Sequence, residues 1–300
     1  MGQQLAKNRA ERIRLWQNAY IDETTGIHTL IQNLCWDFAA FANSAQIVKL
    51  CAKPDWEGNA PNQMTFDLIA RGFWALFLIG TRRLLDNHDL SGPKGVYSIR
   101  SVMKDVEACS DWLDRRTYVE CVHGVEYSAQ RYEQVMYERL QDSAGRPVWG
   151  DPALSRIRAA HRSFDELSGV LEEDRSPEDV ISRTIFDKTR ARLDQLDWLV
   201  DHVNTYVAHS GNSFSRKGKA LDQFNLTDAK KVLCELKRLA DFTGLYFAQE
   251  VSGDLPVYLG DQFEGLDGPT IKSGDRQVLE QRWNELESEI SSWRLNLQEL

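Results

Sequence analysis

The chain has 300 residues, 42% of them apolar, with eight prolines and a formal net charge of −9. That length buries a substantial core in one large domain or two smaller ones. The five cysteines (35, 51, 109, 121 and 234) are odd in number and contain no CxxC, which argues against a disulfide framework or a zinc site.

Helix formers dominate and no alternating strand pattern occurs, so the expected fold is all-α. A polar helix over Gln4–Ile21 leads into a longer amphipathic one over Thr25–Cys51, and Pro54–Pro61 reads as a loop. Asn62–Asn87 is apolar nearly all round (Phe66, Ile69, Phe73, Leu76, Phe77, Leu84), the pattern of a helix at the centre of a bundle. Asp89–Gly95 breaks the chain before a helix over Ser98–Leu113. Residues 115–175 read as an insertion, with charged helices over Ser128–Leu140 and Pro152–Glu173 flanking the turn Gly145-Arg146-Pro147. Ser176-Pro177-Glu178-Asp179 has the residues of a helix start: a capping serine, a proline at the first helical position and acids at the positive end of the dipole.

The helix expected to follow aligns Ile181, Ile185, Leu196, Val200, Val203 and Val207 on one face and stops near Gly211. Thr227-Asp228 starts another, with Leu233, Leu236, Ala240 and Phe247 inward. After a linker over Gly253–Gly274, Leu279, Trp283, Leu286, Ile290, Trp293, Leu297 and Leu300 form a heptad seam. The domain reading is thus a bundle over 1–252 carrying the 115–175 insertion, a linker over 253–274 and a heptad helix over 275–300. The seam suits a partner surface, in this chain or another protein.

Charge is unevenly spread. Residues 241–300 carry twelve acidic and four basic side chains, so residues 1–240 are almost neutral. From Arg216 to Arg238 the balance turns basic, and Arg216, Lys217, Lys219, Lys230 and Lys231 are the candidate nucleic-acid-binding residues. The alternative is a solvated helix face followed by an acidic tail. Met1–Arg14 is polar, which predicts no signal peptide, and the most apolar run, Phe73–Gly80, is shorter than the roughly 20 residues that span a bilayer. A cytoplasmic protein with no membrane partner is expected.

Val203-Asn204-Thr205-Tyr206-Val207-Ala208-His209-Ser210-Gly211 is the most informative stretch. His202, Tyr206 and His209 share a face away from the valine stripe. His202 and His209 are about 10 Å of rise apart, too far to chelate one metal together. His28, His88, His123 and His161 are isolated, so no metal and no cofactor are expected. No Walker loop, GxGxxG or GxSxG occurs.

The order of elements, with a deeply apolar helix ending in Arg82-Arg83-Leu84-Leu85-Asp86 and a long helix ending in Asn204…Ala208-His209, resembles the HEPN superfamily. The nearest likeness is to its abortive-infection, AbiU-type subgroup, over about residues 25–250. The resemblance implies a HEPN-like helical bundle that dimerises, and a metal-independent ribonuclease in a bacterial defence or toxin role. It assigns His209 as general acid or base and Asn204 as the motif's polar residue. The motif arginine is replaced by Val203, which continues the core stripe. Substitute cations are available in Arg82, Arg83, Arg216, Lys217 or a second subunit. Tyr206, His202, Arg83 and Asp86 are supporting residues, the last two read as a local ion pair. The alternative reading is a catalytically degenerate module that dimerises and binds RNA or a defence protein, in which His209 caps a helix end.

Overall fold

The computed structural model of the chain describes residues 2–53, 61–141, 152–204 and 224–251, with six helical positions at 277, 278, 280, 281, 284 and 285. Of residues 2–7, 139–141 and His202 it describes the backbone alone. The chain divides into two compact units, Met1–Ser44 with Met64–Pro256, and Ala45–Gln63 with Val257–Leu300. The heptad positions Leu279, Trp283, Leu286, Ile290, Trp293, Leu297 and Leu300 and the linker 253–274 lie outside the described residues.

Among the described residues all regular structure is helical. The order is α1 (Gly2–Ile21), α2 (Ile27–Cys51), α3 (Gln63–Leu84), α4 (Ile99–Ala108), α5 (Arg115–Thr117), α6 (Ala129–Gln141), α7 (Pro152–Ser168), α8 (Arg183–Asp194), α9 (Asp197–Val203) and α10 (Leu226–Thr243). Helices α5 and α10 each run on into a π-helical turn, Tyr118–Val122 and Gly244–Ala248.

The expectation of a merely polar α1 is corrected. Ile13, Trp16, Ala19 and Tyr20 are buried, and the Trp16 indole N–H donates to Asp105 Oδ2 at 2.6 Å. Arg12 Nε donates to the same oxygen at 2.6 Å, so one nearly buried carboxylate on α4 fixes α1 by a charged and a neutral donor. The chain then reverses at Asp22, whose Oδ1 accepts the backbone N–H groups of Thr24 (3.0 Å) and Thr25 (2.7 Å). These bonds and the two threonine hydroxyls hold its carboxyl down at about 2.

Helix α3 is also corrected. It is long and apolar enough by composition to cross a bilayer, which the run Phe73–Gly80 alone does not reveal. Its Phe73, Phe77, Leu78, Thr81 and Leu84 face the core, where Gly80 admits Leu34 of α2: a Cβ there would stand 2.8 Å from Leu34 Cδ2. Its other side is not central to the bundle, because Leu68, Ile69, Leu76 and Ile79 are exposed.

Segment 115–175 supplies the expected helices α6 and α7. The inner residues of α7, Phe164 and Leu167, belong to the same hydrophobic core as Trp16, Phe77 and Leu236. The helix predicted from Ser176 starts instead at Arg183. Ser176–Asp179 is a turn: the Ser176 N–H donates to Asp179 Oδ2 (3.0 Å), and the Asp179 carbonyl accepts Arg115 N–H (2.9 Å). Tertiary partners take up the bonds that a helix start would have used. The long helix expected over Ile181–His209 is interrupted at Gln195-Leu196, between α8 and α9. Its inward face persists, with Ile181, Leu196 and Val203 buried. In α10, Asn225 caps the first turn in a capping box with Asp228, and Leu233, Leu236, Ala240 and Phe247 are buried as the helical period predicts.

Candidate functional site

The last turn of α3, the start of α4 and the length of α9 enclose a cleft of about 420 Å³. It is lined by Arg82, Leu85, Asp86, Asn87, His88, Arg100, Asp197, Val200 and Asn204. Local sequence explains how each polar group reaches it. Thr81 and Leu84 anchor α3 in the core, so the intervening Arg82 is turned outward, half-buried. The Ser98 hydroxyl donates to the Asp86 carbonyl at 2.7 Å and also accepts the Ser101 N–H at 2.9 Å. The cap of α4 thereby fixes the end of α3.

On the far wall, Val203 is 0% exposed, and its neighbour Asn204 consequently faces the cleft. Arg82 Nε donates to Asn204 Oδ1 at 2.6 Å, across 122 positions of sequence. Among the described residues that is the one hydrogen bond of Arg82, made through Nε, and its charge also acts on Asp86. Arg100, by contrast, is held by two carboxylates: its terminal nitrogens donate to Asp194 (2.8 Å) and Asp197 (2.5 Å), on either side of the α8–α9 break. A guanidinium without a carboxylate bonded to it among the described residues and one amide therefore converge at this point, an arrangement suited to an anionic oxygen.

The expected Arg83–Asp86 ion pair does not form. Asp86 Oδ1 instead accepts the backbone N–H of His88 at 3.0 Å and meets its ring Nδ1 at 2.6 Å. Two positions across a turn give the carboxylate both groups at once, whereas Arg83 is exposed and points to a different hollow. Burial pushes the Asp86 carboxyl up, but the two bonds from His88 and the charge of Arg82 outweigh it and hold the group below its ordinary range. His88, isolated by sequence spacing, thus has a fixed partner. The Asp-x-His spacing is visible in the sequence, but a loop has no periodicity to mark it.

Arg83 lines the second hollow, of about 540 Å³, which Asp86 also borders together with Leu15, Ser91, Gly92 and Tyr97. Gly92 has φ +96° there, a conformation that suits glycine. Lys230 and Lys231 are exposed on α10, Lys231 is 3.7 Å from Asp228, and neither lines the cleft. The backbone of His202 is helical in α9. Tyr206, His209, Arg216, Lys217 and Lys219 lie outside the described residues. Among the described residues no group of three or more His, Cys, Asp or Glu side chains is placed to hold a metal ion.

Residues 52–245 match the model of the HEPN_AbiU2 family, described as AbiU2. No curated protein and no solved structure matches the chain.

Proposed function

The chain belongs to the HEPN-type abortive-infection AbiU2 family, a bacterial-defence assignment, and from that premise we propose that it is a metal-independent endoribonuclease working at the α3–α9 cleft. The observation that carries the reading is the Arg82–Asn204 contact. Val203 cannot serve as the motif arginine, being valine and wholly buried. Arg82 brings a guanidinium to the neighbouring motif residue from another helix, with donors to spare for a phosphate. His209 remains the proton-transfer residue that the family motif assigns.

The test expresses wild type, Arg82→Ala and His209→Ala side by side, follows growth and incubates each pure protein with total RNA and EDTA. Wild type arrests growth and cuts RNA, and both variants lose the two effects together. Growth arrest without cleavage by any of them favours the second reading, a non-catalytic RNA- or protein-binding module, which the burial of Val203 supports.

A homodimer is part of the proposal. Leu68, Ile69, Leu76 and Ile79 are exposed within one side of α3, an apolar face for a second copy. Leu76→Glu, at an exposed position, then shifts the mass seen by light scattering from dimer to monomer. An unchanged mass assigns the interface elsewhere, with the heptad-patterned segment 279–300 the next to test as a partner surface.

A further inference from the structure

The cleft holds a second group that the family motif does not assign. Asp86 and His88 stand at its mouth on the turn after α3, with His88 61% exposed and Asp86 15%. An ionised carboxylate has no proton to give, so the contact of Asp86 Oδ1 with the ring Nδ1 requires that Nδ1 carry the hydrogen. In the neutral ring Nε2 is then left with a lone pair. That nitrogen has no protein partner among the described residues. The second bond from Asp86, to the His88 backbone N–H, fixes the turn as well as the ring. A histidine oriented by a carboxylate, presenting the bare nitrogen to an open cleft, is the arrangement of a general base. Arg82 lines the same cleft, and among the described residues its terminal nitrogens donate no hydrogen bond.

We propose that His88 is a general base in this cleft, taking the 2′-hydroxyl proton of an RNA nucleotide whose phosphate is held by Arg82, with Asp86 as the positioning residue. The proposal rests on the ribonuclease reading above. In the step, His88 Nε2 takes the proton from O2′, the O2′–P bond forms and the P–O5′ bond breaks. The departing O5′ takes a proton from the general acid, the role that the motif leaves to His209; the His88 imidazolium then returns its own proton to solvent, from which His209 is reprotonated. The products are a 2′,3′-cyclic phosphate and a 5′-hydroxyl. The cleavage needs no oxidant or reductant, and it requires RNA because DNA lacks the attacking hydroxyl.

The experiment uses full-length protein and a short fluorescent RNA in EDTA, comparing wild type, His88→Ala, Asp86→Asn and Arg82→Ala. Affinity is measured with the uncleavable 2′-O-methyl form of the same RNA. His88→Ala lowers the saturated cleavage rate about a hundred- to ten-thousand-fold, binds the 2′-O-methyl RNA as wild type does, and regains rate when free imidazole is added. Its loss persists on an RNA with a 5′-thio leaving group, which needs no protonation as it departs. Asp86→Asn shows a smaller loss of rate with unchanged binding.

Wild-type cleavage by His88→Ala, with Arg82→Ala inactive, overturns the role of His88 and leaves the ribonuclease reading standing. A loss that imidazole does not restore, or that vanishes on the 5′-thio RNA, also overturns the general-base assignment. If wild type cuts no RNA, both the ribonuclease reading and this inference fail.

Discussion

Arg115 and Arg82 are both arginines at helix junctions, and they are held in opposite ways. Arg115 is 0% exposed and all three of its nitrogens are engaged: Nε donates to Asp179 (2.7 Å), NH1 to Asp165 (2.7 Å) and the His161 carbonyl (3.3 Å), and NH2 to Ser168 (3.5 Å). Its guanidinium also lies 5.0 Å from the centre of the Phe164 ring. Arg175 closes the cluster with a further pair to Asp165. Arg82 is half-buried in a cleft and, among the described residues, makes one hydrogen bond, to an uncharged amide. A buried arginine bound through all three nitrogens holds protein together; one oriented through a single nitrogen has donors for something else. The two regions thus separate a clamp from a candidate site.

The largest expected effect comes from breaking the clamp. Arg115→Met leaves Asp179 without its arginine and Asp165 with Arg175 alone, and denaturant unfolding should report a loss of about 3–5 kcal/mol. A loss below 1 kcal/mol would mean that water compensates the carboxylates and that the cluster is not structural. Arg82→Ala should do the reverse. Its unfolding free energy stays within about 1 kcal/mol of wild type, because only one partly exposed bond is lost, while RNA cleavage falls roughly a hundred- to a thousand-fold.

Acid should act on the clamp side first. Burial above all, helped by Arg156 and His161, holds His123 down to about 4, so the folded protein keeps this ring neutral. The unfolded chain binds that proton near the ordinary value of 6.5. Stability from this group is therefore complete above about pH 6.5 and declines as pH falls towards 4. His161 is shifted in the same direction, chiefly by burial, and reinforces the effect. His123→Gln should reduce the fall in Tm between pH 7 and pH 4.5; an identical fall would place the acid sensitivity elsewhere.

The smallest effect belongs to Lys231, exposed and 3.7 Å from Asp228. Lys231→Ala should change stability by less than about 0.5 kcal/mol. If RNA passes over α10, it should also reduce the slope of log affinity against log salt by about one. An unchanged slope removes this lysine from the RNA path.

Burial periodicity made much of this fold legible. Val203 and the inner face of α10 read correctly because a 3.6-residue repeat of apolar side chains has one physical outcome in a packed bundle. The same logic misled at α3, where an all-round apolar helix leaves Leu68 and Leu76 exposed, since composition does not say which side is covered. At α1, Ile13, Trp16 and Tyr20 do carry the helical spacing, but charged neighbours dilute it. Ser176 and Asp179 have capping chemistry and use it on a turn, because Arg115 from a distant segment takes Asp179.

The candidate site is legible only in halves. The motif singles out Asn204 and Arg82 stands among several candidate cations, but contact across 122 positions is a tertiary event that local pattern does not encode. Asp86 and His88 are near neighbours in sequence, yet the helix rule of three and four assigned Asp86 to Arg83. The chain had already left the helix at that point.

The contrast between the two arginines is tested most directly by the side-chain Nε–H signals of the full-length protein, followed by NMR while 2′-O-methyl RNA is added. The Arg82 signal should shift and saturate with the RNA, and the Arg115 signal should stay in place. A stationary Arg82 signal at saturating RNA, with binding registered elsewhere, would contradict the assignment of this cleft as the working site.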